Sequence, residues 1–227
     1  MLSGKPATSG LHIHPLLNPQ REEYKIDDLE VSTIDSELAK RLYKDAGSIA
    51  NWRTQKRQTS GTWHSDIGFE NVPADYSSLR LVNIPKTGGD TLWASGYGIY
   101  DLISQPTQKY LEGLTATFKD PGFAKVAERG GYALYEKERG SPENVGIELV
   151  GKHPVIRTNP VTGWKSVFSI SGHTTQINEV APEESKMLLT WLERLILDNH
   201  DLHVSSCFRP SDRCSPLQTL SQSPCSV

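Results

Sequence analysis

The sequence predicts one domain that mixes α-helices and β-strands, and three observations support this fold class. Two short stretches, residues 63–69 and 78–84, have the length and composition of strands and are separated by Pro73. Glycine and proline turn signals recur between such stretches. Residues 182–199 instead carry apolar side chains at three- and four-residue steps, which is the period of an α-helix.

The region before the first of these strands predicts three elements. Residues 11–15 alternate between apolar and polar side chains and then stop at a proline, which indicates a strand end or a loop. Residues 36–46 predict a short helix that Asp35 can cap at its start and Gly47 can end. Residues 53–61 are polar and predict a loop.

The middle of the chain alternates between turn signals and short regular segments. The Gly88-Gly89 pair predicts a turn, and Ser104 shortly before Pro106 predicts the start of a new helix. In chain order the predicted elements are a strand at 91–94, helices at 97–103 and 107–114, a loop at 136–152 and a hairpin formed by 153–158 and 166–170.

Residues 182–199 predict the clearest helix. Glu183 and Glu184 lie in its first turn, where they complement the helix dipole, whereas Ala181 is a poor cap. A partner groove is one interpretation of its apolar stripe, but packing against the core is favoured for residues at this spacing. The stripe consists of Met187, Leu188, Trp191, Leu192, Leu195 and Ile196.

Length and composition predict a soluble globular protein. The chain has 227 residues, 36% hydrophobic residues and a mean hydropathy of −0.47, and it has no apolar run long enough to span a membrane. Its net charge of −3 gives no basic surface of the kind that binds nucleic acid. The first residues carry no signal-peptide pattern, so we expect a cytoplasmic protein with reduced cysteines.

The last part of the chain differs in composition from the rest. Residues 204–227 hold seven Ser, three Pro and all three Cys in 24 residues, without helical or strand periodicity. The cysteines are seven and eleven residues apart, which matches no zinc signature. We therefore predict a domain at residues 1–204 and a disordered Ser/Cys/Pro-rich tail at 205–227.

The residues that indicate chemistry are His64 and Asp66. On a strand, residues two apart point to the same face, so this imidazole and carboxylate can converge on one point. With a third ligand from elsewhere, such a pair forms the facial triad of non-haem Fe(II) oxygenases, which leaves positions open for oxygen and a co-substrate. By itself the pair is also compatible with a hydrogen-bonded surface strand or a zinc hydrolase.

The surroundings of this pair favour the oxygenase, because the chain closely resembles the TauD/TfdA family of Fe(II)- and 2-oxoglutarate-dependent dioxygenases, most of all its fungal branch. The resemblance extends from about residue 11 to residue 204. It is carried by two motifs in order, Thr62-Trp63-His64-Ser65-Asp66-Ile67-Gly68-Phe69-Glu70 and Gly88-Gly89-Asp90-Thr91-Leu92-Trp93-Ala94-Ser95.

The resemblance implies a fold, a reaction and a set of site residues. The fold is a double-stranded β-helix, or jelly roll, with flanking helices. The reaction couples oxidation of 2-oxoglutarate by O2 to hydroxylation of a small organic acid, with sulfonates among the candidates. His64 and Asp66 match the Fe(II) ligands, Thr91 matches the residue that binds the co-substrate carboxylate, and His14 matches the substrate-contacting histidine.

The chain also departs from the family pattern. Leu17 and Ser60 stand where the taurine enzyme has a tyrosine and an asparagine, so we expect a substrate other than taurine. The family's third ligand lies in a segment that resembles W-D-N-R-x-x-x-H, with arginines after it. This chain turns into the tail before that segment, and neither His200 nor His203 is expected to replace the ligand.

These departures lead to an expectation about activity. The resemblance implies a chain that is truncated at both ends, with an incomplete barrel, weak iron binding and low or absent turnover. The alternative function is a non-catalytic remnant or splice variant that acts only by binding a partner or by self-association through open strand edges. A homo-oligomer is compatible with either function.

Overall fold

The strands form three separate antiparallel sheets in the part of the chain that the computed structural model describes. The described residues are 10–17, 25, 27–35, 63–83, 91–168 and 172–206. Four predicted features lie outside them: the helix at 36–46, the loop at 53–61, the Gly88-Gly89 turn and the tail after residue 206. No helix within the described ranges is both long and apolar enough to cross a lipid bilayer.

The largest sheet has three strands. In chain order all the strands are β1 (Thr91–Ala94), β2 (Thr115–Lys119), β3 (Val150–Pro154), β4 (Ile156–Thr158), β5 (Lys165–Val167), β6 (Thr174–Ile177) and β7 (His203–Ser206). Strand β2 pairs with β3 on one side and β6 on the other, and its register with β6 shifts between Thr117 and Phe118. Strand β4 pairs with β5, and β1 pairs with β7.

The helices begin and end at recognisable caps. They are α1 (Gly96–Asp101), α2 (Gln105–Glu112), α3 (Pro121–Gly130) and α4 (Pro182–Leu197), followed by a 3₁₀ turn at His200–Leu202. The Ser95 hydroxyl accepts the Gly98 N–H to cap α1, and the Asp120 carboxylate accepts the Gly122 and Phe123 N–H groups to cap α3. Gly131 ends α3 with a φ of +68°, which glycine adopts without steric cost.

The mixture of helices and strands that the sequence predicts is confirmed, as are several individual elements. The strand at 91–94 is β1, and the two predicted helices after it are α1 and α2, with Ser104 at the N-cap of α2. The predicted long helix is α4. Strand β7 extends through Ser206, past the predicted domain boundary at residue 204.

The predicted strands at 63–69 and 78–84 are wrong. Residues 66–69 form a turn, which the Glu70 N–H closes by donating to the Ile67 carbonyl at 2.9 Å. Ile67 has a φ of +48°, which no extended strand contains. The described part of the second stretch, residues 78–83, is irregular. The composition of these stretches suits strands, but a strand also needs a neighbour to complete its hydrogen bonds.

The predicted hairpin at 153–158 and 166–170 is correct only in part. Its real strands are β4 and β5, whereas His153 belongs to β3 and pairs with β2. The predicted loop at 136–152 is irregular up to Leu149 and then enters β3 at Val150. Local alternation therefore identified extended segments here without identifying their partners.

The apolar stripe of α4 packs on the core, as predicted. Leu188, Leu192 and Ile196 are buried in the main hydrophobic cluster together with Ile177 of β6. The Ser185 hydroxyl also accepts the Ile177 N–H at 2.8 Å, which ties α4 to β6. Met187, at the edge of the stripe, is 63% exposed. The N-cap Ala181 offers no side-chain cap, but the Glu184 carboxylate accepts its N–H at 2.8 Å.

A buried ion network joins three distant segments of the chain. Glu70 and Arg139 are only 2% and 1% exposed, and two N–H···O contacts of 2.5 and 2.9 Å connect them. The Glu70 carboxylate also contacts His12 Nε2 at 3.0 Å. Arg139 donates further to the Tyr135 and Gly146 carbonyls. Burial raises the pKa of Glu70, but the hydrogen bonds from His12 and Arg139 lower it by more, so the net shift is downward.

We predict that Arg139→Met destabilises the protein strongly, because it leaves the Glu70 carboxylate buried without its main partner. The free energy of unfolding should fall by about 3–5 kcal/mol. The matched control is Arg194→Met, which breaks an exposed pair with Asp198 and should cost less than about 1 kcal/mol. Denaturant titration measures both values, and equal losses in the two variants would contradict the importance of the network.

Candidate metal centre

His64 and Asp66 meet at the start of the 66–69 turn. Their Nε2 and Oδ1 atoms lie 3.3 Å apart, and their side chains are 29% and 43% exposed. The sequence predicted this convergence from a strand, but the structure achieves it with irregular backbone that enters a turn. The two groups that match metal ligands therefore lie side by side, with edges open to solvent.

His153 stabilises the turn by hydrogen bonding to its backbone. Its Nε2 lies 2.9 Å from both the Gly68 and the Glu70 carbonyls, so the ring N–H donates to the backbone on either side of Phe69. Burial lowers the pKa of His153, and the charge of Arg157 lowers it further. Because His153 lies in β3, the turn is supported by a residue that is far away in the chain.

The electrostatics of Asp66 favour its ionised form. Burial raises the pKa of Asp66, but hydrogen bonds from His64 and Ser77 together with the charges of His64 and His173 lower it more. The Ser77 hydroxyl donates to Oδ2 at 3.3 Å. A carboxylate and an imidazole side by side are a donor pair that suits divalent iron.

Aromatic rings connect this pair to His14. The His173 ring packs edge-on against His64 and Phe69, with centroids 5.9 and 5.3 Å away. Phe69 then contacts Phe123 at 5.6 Å, and Phe123 contacts His14 at 4.9 Å. The structure thus brings the predicted substrate histidine and the predicted metal ligands into one cluster.

The contacts of His14 define its tautomer and favour its neutral form. Its Nδ1 accepts the Leu16 N–H at 3.0 Å, so the proton of a neutral ring is on Nε2. Burial and the neighbouring His12 lower the pKa of His14 to about 4. Leu17, which replaces the taurine enzyme's tyrosine, is fully buried, and Ser60 lies outside the described residues.

Thr91 lies at the start of β1, opposite Ser206 of β7. Leu92 and Ala94 of the same strand pack on the core, so Thr91 and Trp93 share the other face. The Trp93 Nε1 atom is buried and has no hydrogen-bond partner within the described part of the chain. A buried donor without a partner is costly unless a ligand or water satisfies it.

The third metal ligand is not found among the described residues, where no group of three or more His, Cys, Asp or Glu is arranged to hold a metal ion. His203 Nε2 donates to the Ile196 carbonyl at 2.8 Å, and its ring packs on Trp63 at 4.8 Å. His200 stacks on His203. Both histidines thus have partners of their own.

Sequence reasoning missed two acidic residues that shape this region. Glu70 carries no local signal, because its partner Arg139 is far away in the chain. Asp120 lies 3.1 Å from His173 Nδ1 and caps α3. The Asp120-Pro121 pair is an N-cap followed by a proline in the first turn, and that pattern could have indicated the start of α3.

We predict that His14 makes stability depend on pH. Its pKa is near 6.5 when unfolded and about 4 when folded, so the unfolded state binds more protons between these values. The contribution to stability is complete above pH 6.5 and is lost as the pH falls toward 4. In denaturant titrations across this range, His14→Gln should show a shallower pH dependence than the wild type.

The exposed His200→Gln variant is the control and should keep the wild-type slope. Some slope should remain in His14→Gln, because burial also lowers the pKa of His153. A His14→Gln slope equal to that of the wild type would contradict the low pKa of His14 in the folded state.

Comparisons with known proteins identify the family of this chain. The family model of the taurine catabolism dioxygenase TauD, TfdA family matches residues 19–212. The chain is 45% identical to the alpha-ketoglutarate-dependent dioxygenase btcD of Neocamarosporium betae, over 90% of this chain and 59% of that protein. It is 28% identical to the alpha-ketoglutarate-dependent sulfonate dioxygenase of Saccharomyces cerevisiae, over 89% and 42% of the two chains.

A solved structure is also similar. A taurine dioxygenase from Burkholderia xenovorans matches with a TM-score of 0.51 and 25% identity, over 68% of this chain and 49% of that one. The chain thus spans about half of the length of the relatives it matches. The family model covers most of the sequence, and the chain belongs to the taurine catabolism dioxygenase TauD, TfdA family.

Proposed function

We propose that this chain is an Fe(II)- and 2-oxoglutarate-dependent dioxygenase that hydroxylates a small organic acid. The observation that carries the proposal is the 3.3 Å approach of His64 Nε2 and Asp66 Oδ1 in a chain of the TauD/TfdA family. We further propose that the three sheets are parts of a jelly roll. The support for that fold is the likeness to the Burkholderia taurine dioxygenase structure.

The donor set fits the metal that the family implies. His64 would supply an imidazole nitrogen and Asp66 an ionised carboxylate, which are two of the three ligands of a facial triad. When bound, iron together with 2-oxoglutarate would supply the oxidising chemistry, with succinate and carbon dioxide as co-products. The third ligand would come from outside the described residues, and we expect turnover to depend on it.

The face of β1 that carries Thr91 is suited to the co-substrate. The Thr91 hydroxyl is a hydrogen-bond donor for a carboxylate, and the Trp93 N–H on the same face, which has no partner among the described residues, is a second one. Binding a carboxylate would remove the cost of burying this indole N–H. We propose that both residues bind 2-oxoglutarate.

His14, Phe69 and Phe123 are suited to the organic substrate. Because Nδ1 of His14 accepts a backbone N–H and its pKa is low, the ring is neutral and has its proton on Nε2. That N–H can donate to an oxygen of a carboxylate or sulfonate. The two phenylalanine rings would exclude water from the carbon that is oxidised. A relative named as a sulfonate dioxygenase supports sulfonates among the candidate substrates.

A second candidate function is binding without turnover. The observation that favours it is the lack, within the described ranges, of a group of three residues arranged to hold a metal. Such a protein would associate with a partner or with itself and would have little affinity for iron. Metal binding therefore separates the two functions.

We predict that the wild-type chain binds Fe(II) under anaerobic conditions with one ion per chain, and that His64→Ala and Asp66→Ala abolish this binding. The exposed His200→Ala variant is the control and should bind as the wild type does. With 2-oxoglutarate, O2 and a panel of sulfonates and carboxylates, at least one acid should stimulate succinate release at a low rate, as expected for an incomplete ligand set, and yield a hydroxylated product by mass spectrometry.

Two results would count against the enzyme. Iron binding that survives His64→Ala would remove the metal site from this turn. A wild-type chain that binds no iron and releases no succinate with any acid would favour the function of binding without turnover.

A further inference from the structure

Asp120 connects the substrate side of the proposed site, which contains His14 and Phe123, with the metal side, which contains His64. Both of its carboxylate oxygens make contacts. It follows β2 and is the N-cap of α3. Its side chain is only 11% exposed, and its own N–H donates to the Leu149 carbonyl at 3.2 Å. The backbone and the carboxylate are therefore both fixed in place.

One oxygen of Asp120 orients the start of α3. Oδ1 accepts the Gly122 N–H at 2.8 Å and the Phe123 N–H at 3.2 Å, which is an ordinary capping interaction. Phe123 is in the first turn that this cap organises, and its ring contacts His14 and Phe69. The cap thus determines where one aromatic wall of the substrate side lies.

The other oxygen reaches across to the metal side. Oδ2 lies 3.1 Å from Nδ1 of His173, whose ring packs against His64 and Phe69. The backbone of His173 is tied to the same place, because its carbonyl accepts the Lys119 N–H at 2.8 Å. A carboxylate that contacts one nitrogen of an imidazole restricts both the rotation and the tautomer of the ring.

We propose that Asp120 is a positioning residue, which holds Phe123 against His14 and His173 against His64, and so fixes the distance between the substrate side and the metal side. A cap alone would need only one oxygen, whereas here the second oxygen contacts a residue on a different segment. Phe69 contacts both held rings and lies between the two sides. This inference rests on the proposed dioxygenase function.

The ligand whose position Asp120 controls is the small organic acid, not 2-oxoglutarate. The aromatic cluster that it orients contains the proposed substrate residue His14. The proposed co-substrate residues lie instead on β1, and the residues that contact Asp120 belong to other segments. A defect at Asp120 should therefore separate the kinetic constants of the two small molecules.

Two substitutions separate the two oxygens. Asp120→Asn keeps an oxygen that can accept for the cap but puts an amide NH2 group at the position that contacts His173 Nδ1, so a hydrogen bond donated by the ring is lost. Asp120→Ala removes both interactions. The matched control is Ser95→Ala, which removes the cap of α1, a helix that contains none of these rings.

For the organic acid that gives the highest rate of succinate release, we expect Asp120→Asn to lower kcat/KM by roughly tenfold and Asp120→Ala by more. The KM for 2-oxoglutarate should stay within about twofold of the wild type in both variants. Ser95→Ala should lower thermal stability and leave both constants unchanged. The inference would be overturned if Asp120→Asn left kcat/KM for the organic acid unchanged. It would also be overturned if this variant lowered that kcat/KM and raised the KM for 2-oxoglutarate by the same factor.

A second readout does not depend on turnover. In NMR spectra of the histidine side chains of the full chain without metal, Asp120→Ala should shift the signals of both His14 and His64. Asp120→Asn should shift mainly His64, and Ser95→Ala should shift neither. If no acid stimulates the wild type, the proposed function fails, and these spectra still decide the inference. Unmoved His14 and His64 signals in Asp120→Ala would overturn it.

Discussion

The paired charges of Glu70 and Arg139 are the interaction on which the candidate site depends most. A carboxylate and a guanidinium that are both almost fully buried must satisfy each other, because neither can be hydrated. Their bidentate geometry and the two carbonyls that accept from Arg139 meet that requirement. Glu70 comes directly after the turn that begins at Asp66, so the network fixes the end of that turn.

The same network fixes the segment that carries His14. His12 contacts Glu70. On the other side of the turn in sequence, the side-chain amide of Asn144 accepts the Val72 N–H and donates to the Val72 carbonyl. The turn with the candidate metal ligands therefore lies between the N-terminal segment and the irregular stretch before β3. Stable strand pairing is not needed there, because side chains supply the hydrogen bonds that a sheet would otherwise provide.

Features of the fold and of the candidate site that depend on residues close together in the sequence were predictable, whereas those that depend on contacts between distant residues were not. Helix α4 was predictable because its apolar period is local and its burial follows from that period. The pair of His64 and Asp66 was recognisable from its spacing and its surroundings, although the local conformation is a turn and not a strand. The positive φ of Ile67 and the contacts with His153 have no counterpart in a pattern of alternating residues.

The partners of Glu70 and Asp120 were not predictable for the same reason. Arg139 and His173 are separated from them by several elements, and only the fold brings each pair together. In both pairs a single acidic residue connects segments that contribute to the candidate site. Long-range contacts of this kind thus maintain the geometry of a two-residue motif that is recognisable from local sequence.

The irregular segment at residues 63–65 and the turn at 66–69 should present His64 and Asp66 to a metal ion. The proposed dioxygenase function depends on this metal binding. Anomalous diffraction at the manganese edge, from crystals of the chain grown with Mn(II) as a substitute for Fe(II), tests it most directly. We predict one strong peak within bonding distance of both His64 Nε2 and the Asp66 carboxylate. A peak bound to other residues, or none near these two side chains at saturating Mn(II), would contradict a metal centre at this turn.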